Sequence, residues 1–336
     1  MGEALFWKPV KAGIRCTLCP RGCVMPEGSK GFCRVRKNVG EKLYSLNYGM
    51  LCSVASDPIE KKPLFHFAPG TSCLSIATIG CNLGCRFCQN WEISQATKVV
   101  GERFTPEQVV QTAVEMGLPG IAYTYVEPTV FYEFALETMK LAKKAGLYNV
   151  WVTNGYTSLE AIRKMVRWLD AANVDYKGDA EFYRKLCLVH DMEPIREAMK
   201  LYREKDVWLE LTNLIVPGWN DKPAQIEDMC SWIVKNLGRA TPLHFSRFLP
   251  HYRMTSTPQT PAKTLDTAYA IAKREGMNYV YVGNVHDGEH ESTHCPKCKA
   301  TVIERNGFNV GHVHERCLQC RSRIALAGME WTKKAY

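Results

Sequence analysis

The stretch Cys73–Asn90, CLSIATIGCNLGCRFCQN, decides how the rest of the chain is read. Its first seven residues form an apolar run of the length of a buried strand. A glycine ends the run, and Cys81, Cys85 and Cys88 follow at C-x3-C-x2-C spacing on a loop with a second glycine. Three thiolates this close can hold three corners of a [4Fe–4S] cubane. Ligation by cysteine alone would take a fourth, so one iron stays open to an outside ligand. S-adenosylmethionine (SAM) can chelate such an iron through its amino and carboxylate groups. The competing reading is a structural zinc site with a distant fourth ligand. Zinc knuckles, however, come as paired C-x2-C or C-x2-C/H-x3-H units rather than as this triplet.

Outward from the triplet, short apolar runs alternate with helix patterns. The strand-like runs are Cys73–Ile79, Gly120–Tyr125, Asn149–Thr153, Ala172–Asp175, Val207–Val216, Pro242–Phe248 and Asn278–Val282. Between them, Thr105-Pro-Glu-Gln108 reads as a capping box with proline at the first helical position. A further pattern, Thr129–Ala145, stops at Gly146, a helix-ending residue. Others cover Leu159–Leu169, Pro194–Lys205, Pro223–Leu237 and Ala262–Glu275. Strands joined by helices imply parallel pairing. The fold expected is α/β, a partial (βα)6-type barrel over residues 71–286, with its chemistry at the C-terminal strand ends.

The flanks are cysteine-rich. Residues 1–70 hold Cys16, Cys19, Cys23 and Cys33, then a connector that includes DPIEKKPLFHFAPG. This set can hold zinc or an auxiliary Fe–S cluster, and its distance from the triplet along the chain leans the reading to zinc. Residues 287–336 hold Cys295, Cys298, Cys317 and Cys320, two C-x2-C knuckles that read as a zinc-ribbon-like tail. The remaining four of 15 cysteines, Cys52, Cys73, Cys187 and Cys230, are expected to pack as small hydrophobes. No secretory signal or membrane-spanning run is evident, and clustered free thiolates need a reducing compartment, so a cytoplasmic protein is expected.

The triplet resembles that of the radical SAM superfamily, and Phe87, just before its third cysteine, matches a habit of those enzymes. The wider set RCTLCPRGCVMPEGSKGFCRVR, SDPIEKKPLFHFAPG, GCNLGCRFCQNWEIS, AYTYVEPTVFYE, VTNGY, VDYKG, LIVPGWND, HFSRFLPHYRM, YVYVGNV and the terminal CPKC and CLQC is similar to the pyruvate formate-lyase activating enzyme-like branch. More narrowly, it resembles the AmmeMemoRadiSam system radical SAM enzymes. The resemblance implies a [4Fe–4S] cluster, reductive cleavage of SAM to a 5′-deoxyadenosyl radical, and hydrogen abstraction from a substrate. It also implies AMMECR1-like and Memo-like protein partners and a low-potential electron donor.

By the same resemblance, Tyr125 and Glu127 stand where the Gly-Gly-Glu motif of activating enzymes receives the SAM amino group. Thr153 and Asn154 correspond to a stretch near the SAM ribose and carboxylate, with Val152 where activases often have Asp. Asp175 and Lys177 fall on one side of a strand. Such charges in a barrel mouth must pair or meet a charged ligand. They and His251, which matches a SAM-proximal His, are the catalytic candidates. Glu210 is a substrate-pocket candidate, and Arg247 could face an anionic substrate. Two other readings compete: an activase for a glycyl radical enzyme, and a basic multi-zinc nucleic-acid-binding module prompted by the net charge of +9. The Lys and Arg residues are spread along the chain without a basic run interleaved with aromatics, so neither nucleic acid nor membrane is an expected partner.

Overall fold

The computed structural model describes residues 1–285 and 290–332. The expected boundary at 286/287 and the last four residues lie outside them. Among the described residues the central sheet has eight strands. These are β1 (Ser53–Pro58), β2 (Ser72–Ala77), β3 (Gly120–Tyr123), β4 (Tyr148–Thr153), β5 (Ala171–Asp175), β6 (Trp208–Ile215), β7 (Leu243–Arg247) and β8 (Val280–Gly283). They lie side by side in chain order, with β1 and β8 at the edges. Strands β2 to β8 are parallel, and β1 runs antiparallel to β2. The fold is therefore mixed α/β with a mostly parallel central sheet. Among the described residues no helix is long and apolar enough to cross a membrane.

Parallel neighbours need crossovers, and the sequence supplies them as capped amphipathic helices. Helix α1 (Pro106–Glu115) opens on the expected box: Gln108 N donates to Thr105 Oγ1 at 3.3 Å, and Thr105 N donates to Gln108 Oε1 at 2.8 Å. A 3-10 turn, Pro128–Phe131, leads into α2 (Tyr132–Lys144). Ser158 caps α3 (Leu159–Met165), and Asp179 caps α4 (Ala180–Leu186). Helix α5 (Glu193–Glu204) buries Ile195, Ala198, Met199 and Tyr202, the spacing of one helical face. Helices α6 (Pro223–Asn236) and α7 (Ala262–Arg274) flank β7. Ala171–Val174 of β5 is buried without interruption, as expected of a parallel strand covered on both faces. The edge strand β1 and helix α4 are two elements that the periodicity reading did not contain.

The N-terminal cysteines lie around two small antiparallel sheets. One joins Trp7–Val10, Gly13–Cys16 and Val24–Met25, and the other Gly2–Glu3, Arg36–Val39 and Lys42–Ser45. The tail is built on short hairpins. It docks on the connector: Ala327 N donates to His66 O and Ala68 N to Ala327 O, both at 2.9 Å.

Glu210, a pocket candidate in the sequence, is instead a structural hub. Its buried carboxylate accepts from Phe65 N at 3.0 Å, His66 N at 2.8 Å, Trp208 Nε1 at 3.1 Å and His244 Nε2 at 2.7 Å. Asn173 Nδ2 adds a bond to Pro63 O at 2.8 Å. The connector thus plugs the sheet at the N-terminal part of β5 and β6. Burial opposes the negative charge, but His244 and the His66 N–H keep the carboxyl below its ordinary range. Glu210→Ala leaves those donors without an acceptor and should cost about 3–5 kcal/mol of stability. The shift of the urea midpoint measures it, and a midpoint equal to the parent's would refute the hub.

Candidate active site

The C-terminal ends of the parallel strands converge on a cavity of about 310 Å³. The loop after β2 brings Cys81, Cys85 and Cys88 to its wall, with Phe87 beside them. Phe87 is buried and packs on Phe182 of α4, with ring centroids 5.5 Å apart. The segment after β3 adds Tyr125 and Glu127. The end of β4 adds Thr153 and Asn154, and the end of β5 adds Asp175 and Lys177. Seven of the ten non-cysteine candidates therefore meet in one place. His251 does not: it is exposed on the loop after β7 and lies outside this cavity, as does Arg247, whose Nε donates to Thr260 O at 2.8 Å.

Each wall residue is fixed by the fold. Tyr125 holds a left-handed backbone, φ 65°, a strained conformation for a bulky residue. It is pinned by its hydroxyl on Asp57, by Asn90 Nδ2 donating to its carbonyl at 2.6 Å, and by Lys62 Nζ 4.4 Å from its ring centroid. Glu127 is buried, and both its oxygens are engaged. Oε1 accepts from Thr129 N at 3.0 Å, Thr129 Oγ1 at 2.5 Å and Thr153 Oγ1 at 2.8 Å, while Oε2 accepts from Asn154 N at 2.8 Å. Its side chain therefore ties the ends of β3 and β4 together. Lys177 Nζ pairs with Asp175 Oδ2 at 2.7 Å. Burial opposes the ammonium charge, yet Asp175 and the nearby Cys85 sulfur hold its pKa well above the ordinary lysine range.

The donor set at the triplet fits a three-thiolate cubane. Three sulfurs share the cavity wall, and no fourth cysteine lines it among the described residues. Burial raises the Cys81 and Cys88 thiols, and a hydrogen bond shared with Cys187, followed by burial, raises Cys85. Metal binding there must release protons. Three supporting residues were missed in the sequence. Cys187, assigned to packing, touches Cys85, and Gly84 N donates to its carbonyl at 3.0 Å. Ser94 Oγ lies 3.3 Å from Cys88 Sγ. Asn82 Oδ1 accepts from Asn154 Nδ2 at 2.9 Å. The run NWEIS after the triplet held the one available sequence signal, for Ser94. A separate group, Cys295, Cys298, Cys317 and Cys320, brings its sulfurs within 4.8 Å of one another, tight enough to hold one metal ion.

Residues 75–233 match the Radical SAM superfamily model, a span that holds the triplet and all seven candidate residues of the cavity. The chain therefore carries a radical SAM domain, which marks it as an enzyme and implies SAM and a [4Fe–4S] cluster. It belongs to the family of the uncharacterized protein MJ0808 of Methanocaldococcus jannaschii, to which it is 45% identical over 332 residues, covering 96% of this chain and 99% of that one. The uncharacterized protein MJ0674 of the same organism is 23% identical over 283 residues, 79% of this chain and 76% of that one. A radical SAM methyltransferase from Sphaerobacter thermophilus shares the fold, with a TM-score of 0.50 at 16% identity over 63% of this chain and 65% of that one. Glu127→Ala should loosen the β3–β4 junction, with a loss of about 2–4 kcal/mol for its charge-assisted bonds. It should also weaken SAM binding to the reconstituted protein. Denaturation and equilibrium dialysis read the two effects, and unchanged values in both would contradict the role.

Proposed function

We propose that this chain is the radical SAM oxidoreductase of an AMMECR1–Memo–radical SAM system. When bound, the cluster and SAM supply a 5′-deoxyadenosyl radical that takes hydrogen from a substrate. Cys81, Cys85 and Cys88 hold the cluster. Phe87, Tyr125, Thr153 and Asn154 shape the SAM site, and Glu127 sets the backbone around it. The Asp175–Lys177 pair faces the same cavity and is placed to answer the opposite charges of SAM. The observation that carries this reading is the convergence of three thiols and these strand-end residues on one cavity without a fourth cysteine.

The rest of the proposal follows the sequence motifs. Residues 71–286 form the partial barrel, 1–70 a cysteine-rich segment and connector, and 287–336 the tail. AMMECR1-like and Memo-like proteins are the partners, a low-potential donor supplies electrons, and the compartment is the cytoplasm. We assign zinc to Cys295, Cys298, Cys317 and Cys320. Two matching turns support this: Lys299, φ 65°, and Arg321, φ 61°, each follow the second cysteine of a knuckle. The tail docks at the plugged end of the sheet, so its metal is structural.

Reconstitution without oxygen, followed by dithionite and SAM, should yield 5′-deoxyadenosine. Replacing Cys81, Cys85 or Cys88 by Ala should abolish it. Zinc alone in the reconstituted protein, with no cleavage product, would sink the reading. Cys298→Ala should remove about one zinc per chain and lower the melting temperature. Unchanged zinc content and melting would refute the tail assignment.

A further inference from the structure

Cys16, Cys19, Cys23 and Cys33 line a second cavity, of about 20 Å³. That is room for an object at least the size of a water molecule. Zinc sits about 2.3 Å from each thiolate and leaves no such void between its ligands. The tail makes the contrast within the same molecule. Its sulfurs are drawn in around a point, with Cys295–Cys320 and Cys298–Cys317 each 3.5 Å apart. Among the described residues, theirs is the one His, Cys, Asp and Glu group gathered tightly enough for a single ion. The N-terminal four are not gathered in this way, and neither is the triplet.

The cavity also holds a buried cation. Arg36 lines it and pairs with Glu133 at 2.6 and 2.5 Å, and its Nε has no hydrogen-bond partner among the described residues. A cubane with four thiolates is anionic in both common oxidation states, and N–H donors near its sulfurs tune its potential. A buried guanidinium with a spare N–H suits such a group.

Two short stretches of chain border both this cavity and the catalytic one: residues 81–83, and residues 127–130, where Thr129 and Val130 face the first and Glu127 the second. Asn82 lines the N-terminal cavity, and its neighbour Cys81 lines the other. Arg21 Nε donates to Asn82 O at 3.0 Å. On the other side, Asn154 Nδ2 lies 2.9 Å from Asn82 Oδ1 and 3.7 Å from Cys81 Sγ. Gly80 sits so close to the N-terminal segment that an added Cβ would be 2.9 Å from Cys33 O. The two groups are far apart in sequence, which had leaned the reading to zinc, but they are adjacent in space.

We infer that Cys16, Cys19, Cys23 and Cys33 hold a second [4Fe–4S] cluster that passes electrons to the cluster of Cys81, Cys85 and Cys88. One electron from a low-potential one-electron donor reduces the second cluster, which is reoxidised as that electron moves on to the first. The relay role rests on the radical SAM reading; the second cluster itself does not.

The full chain, reconstituted anaerobically, should hold about eight iron and about eight sulfide in cubane form by Mössbauer and chemical analysis. The variant C81A/C85A/C88A should keep about four of each, and C19A/C23A should lose about four. In C19A/C23A, the remaining paramagnetic signal should shift when SAM is added. If C81A/C85A/C88A binds zinc and no iron at the N-terminal site, the second cluster is overturned, whatever SAM does. If the wild type holds both clusters but neither signal responds to SAM, it is the radical SAM reading that fails. Should C19A/C23A not fold, the wild-type iron count still decides, since about four cubane irons would refute the inference. With both clusters reduced, the wild-type resonance should be broader than the sum of the two variants' spectra. A plain sum overturns the relay.

Discussion

Glu210 is a fully buried carboxylate, so it must collect donors from the protein, and those it collects come from different parts of the chain. The Phe65 and His66 amides belong to the connector, Trp208 to its own strand, and His244 to the neighbouring strand. His66 then bonds the tail through Ala325 O at 2.6 Å, and its other ring nitrogen meets the Tyr281 hydroxyl. Tyr281 reaches Thr293, which also accepts from Arg305. One buried charge thus closes one end of the sheet and fixes where the tail docks. Because an isolated buried carboxylate is so costly, the alternatives to this arrangement are few.

Closing one end leaves the other for chemistry, and there a second buried carboxylate does the equivalent work. Glu127 joins the ends of β3 and β4 through two bonds, to Thr153 and Asn154, and two more to Thr129 fix its own turn, so the backbone around Tyr125 and Asn154 is set before any ligand arrives. Pre-organisation of this kind lowers the ordering cost of binding. It also changes how a carboxylate in an active-site motif should be read. Glu127 is needed for the shape of the site and presents little free acceptor capacity to SAM.

Most of the sheet was legible because parallel strands and crossover helices each carry a local signature. Apolar runs of four to ten residues lie between capped patterns, and the Thr105 box formed as written. The misses share one cause: they depend on contacts between residues distant in sequence. Ser53–Pro58 has no strand signature of its own and is a strand because β2 offers it an edge. Glu210 lies on the same face of β6 as Thr212 but one step further from the open end, where the connector reaches it. Cys187 looked like packing until α4 set it against Cys85. His251 followed a family pattern, yet the loop that carries it turns outward.

The three cysteine groups extend this point from position to chemistry. Along the chain, spacing fixes which thiols are near one another, but the nuclearity of a metal site depends on the volume they enclose. C-x2-C turns pull the tail sulfurs inward to a point. The triplet loop is held open by Phe87, Asn82 and the strand ends, so its sulfurs face a cavity. The N-terminal four come from a strand end, a turn and a loop; they line a void and are not gathered to a point. A C-x2-C pair therefore does not by itself decide how tightly a site closes: Cys16 and Cys19 share the spacing of the tail pairs but not their gathering to a point. Cys33 is held there by close packing against Gly80, just before the triplet, and Cys23 by the Cys16 amide, which donates to its carbonyl at 3.0 Å.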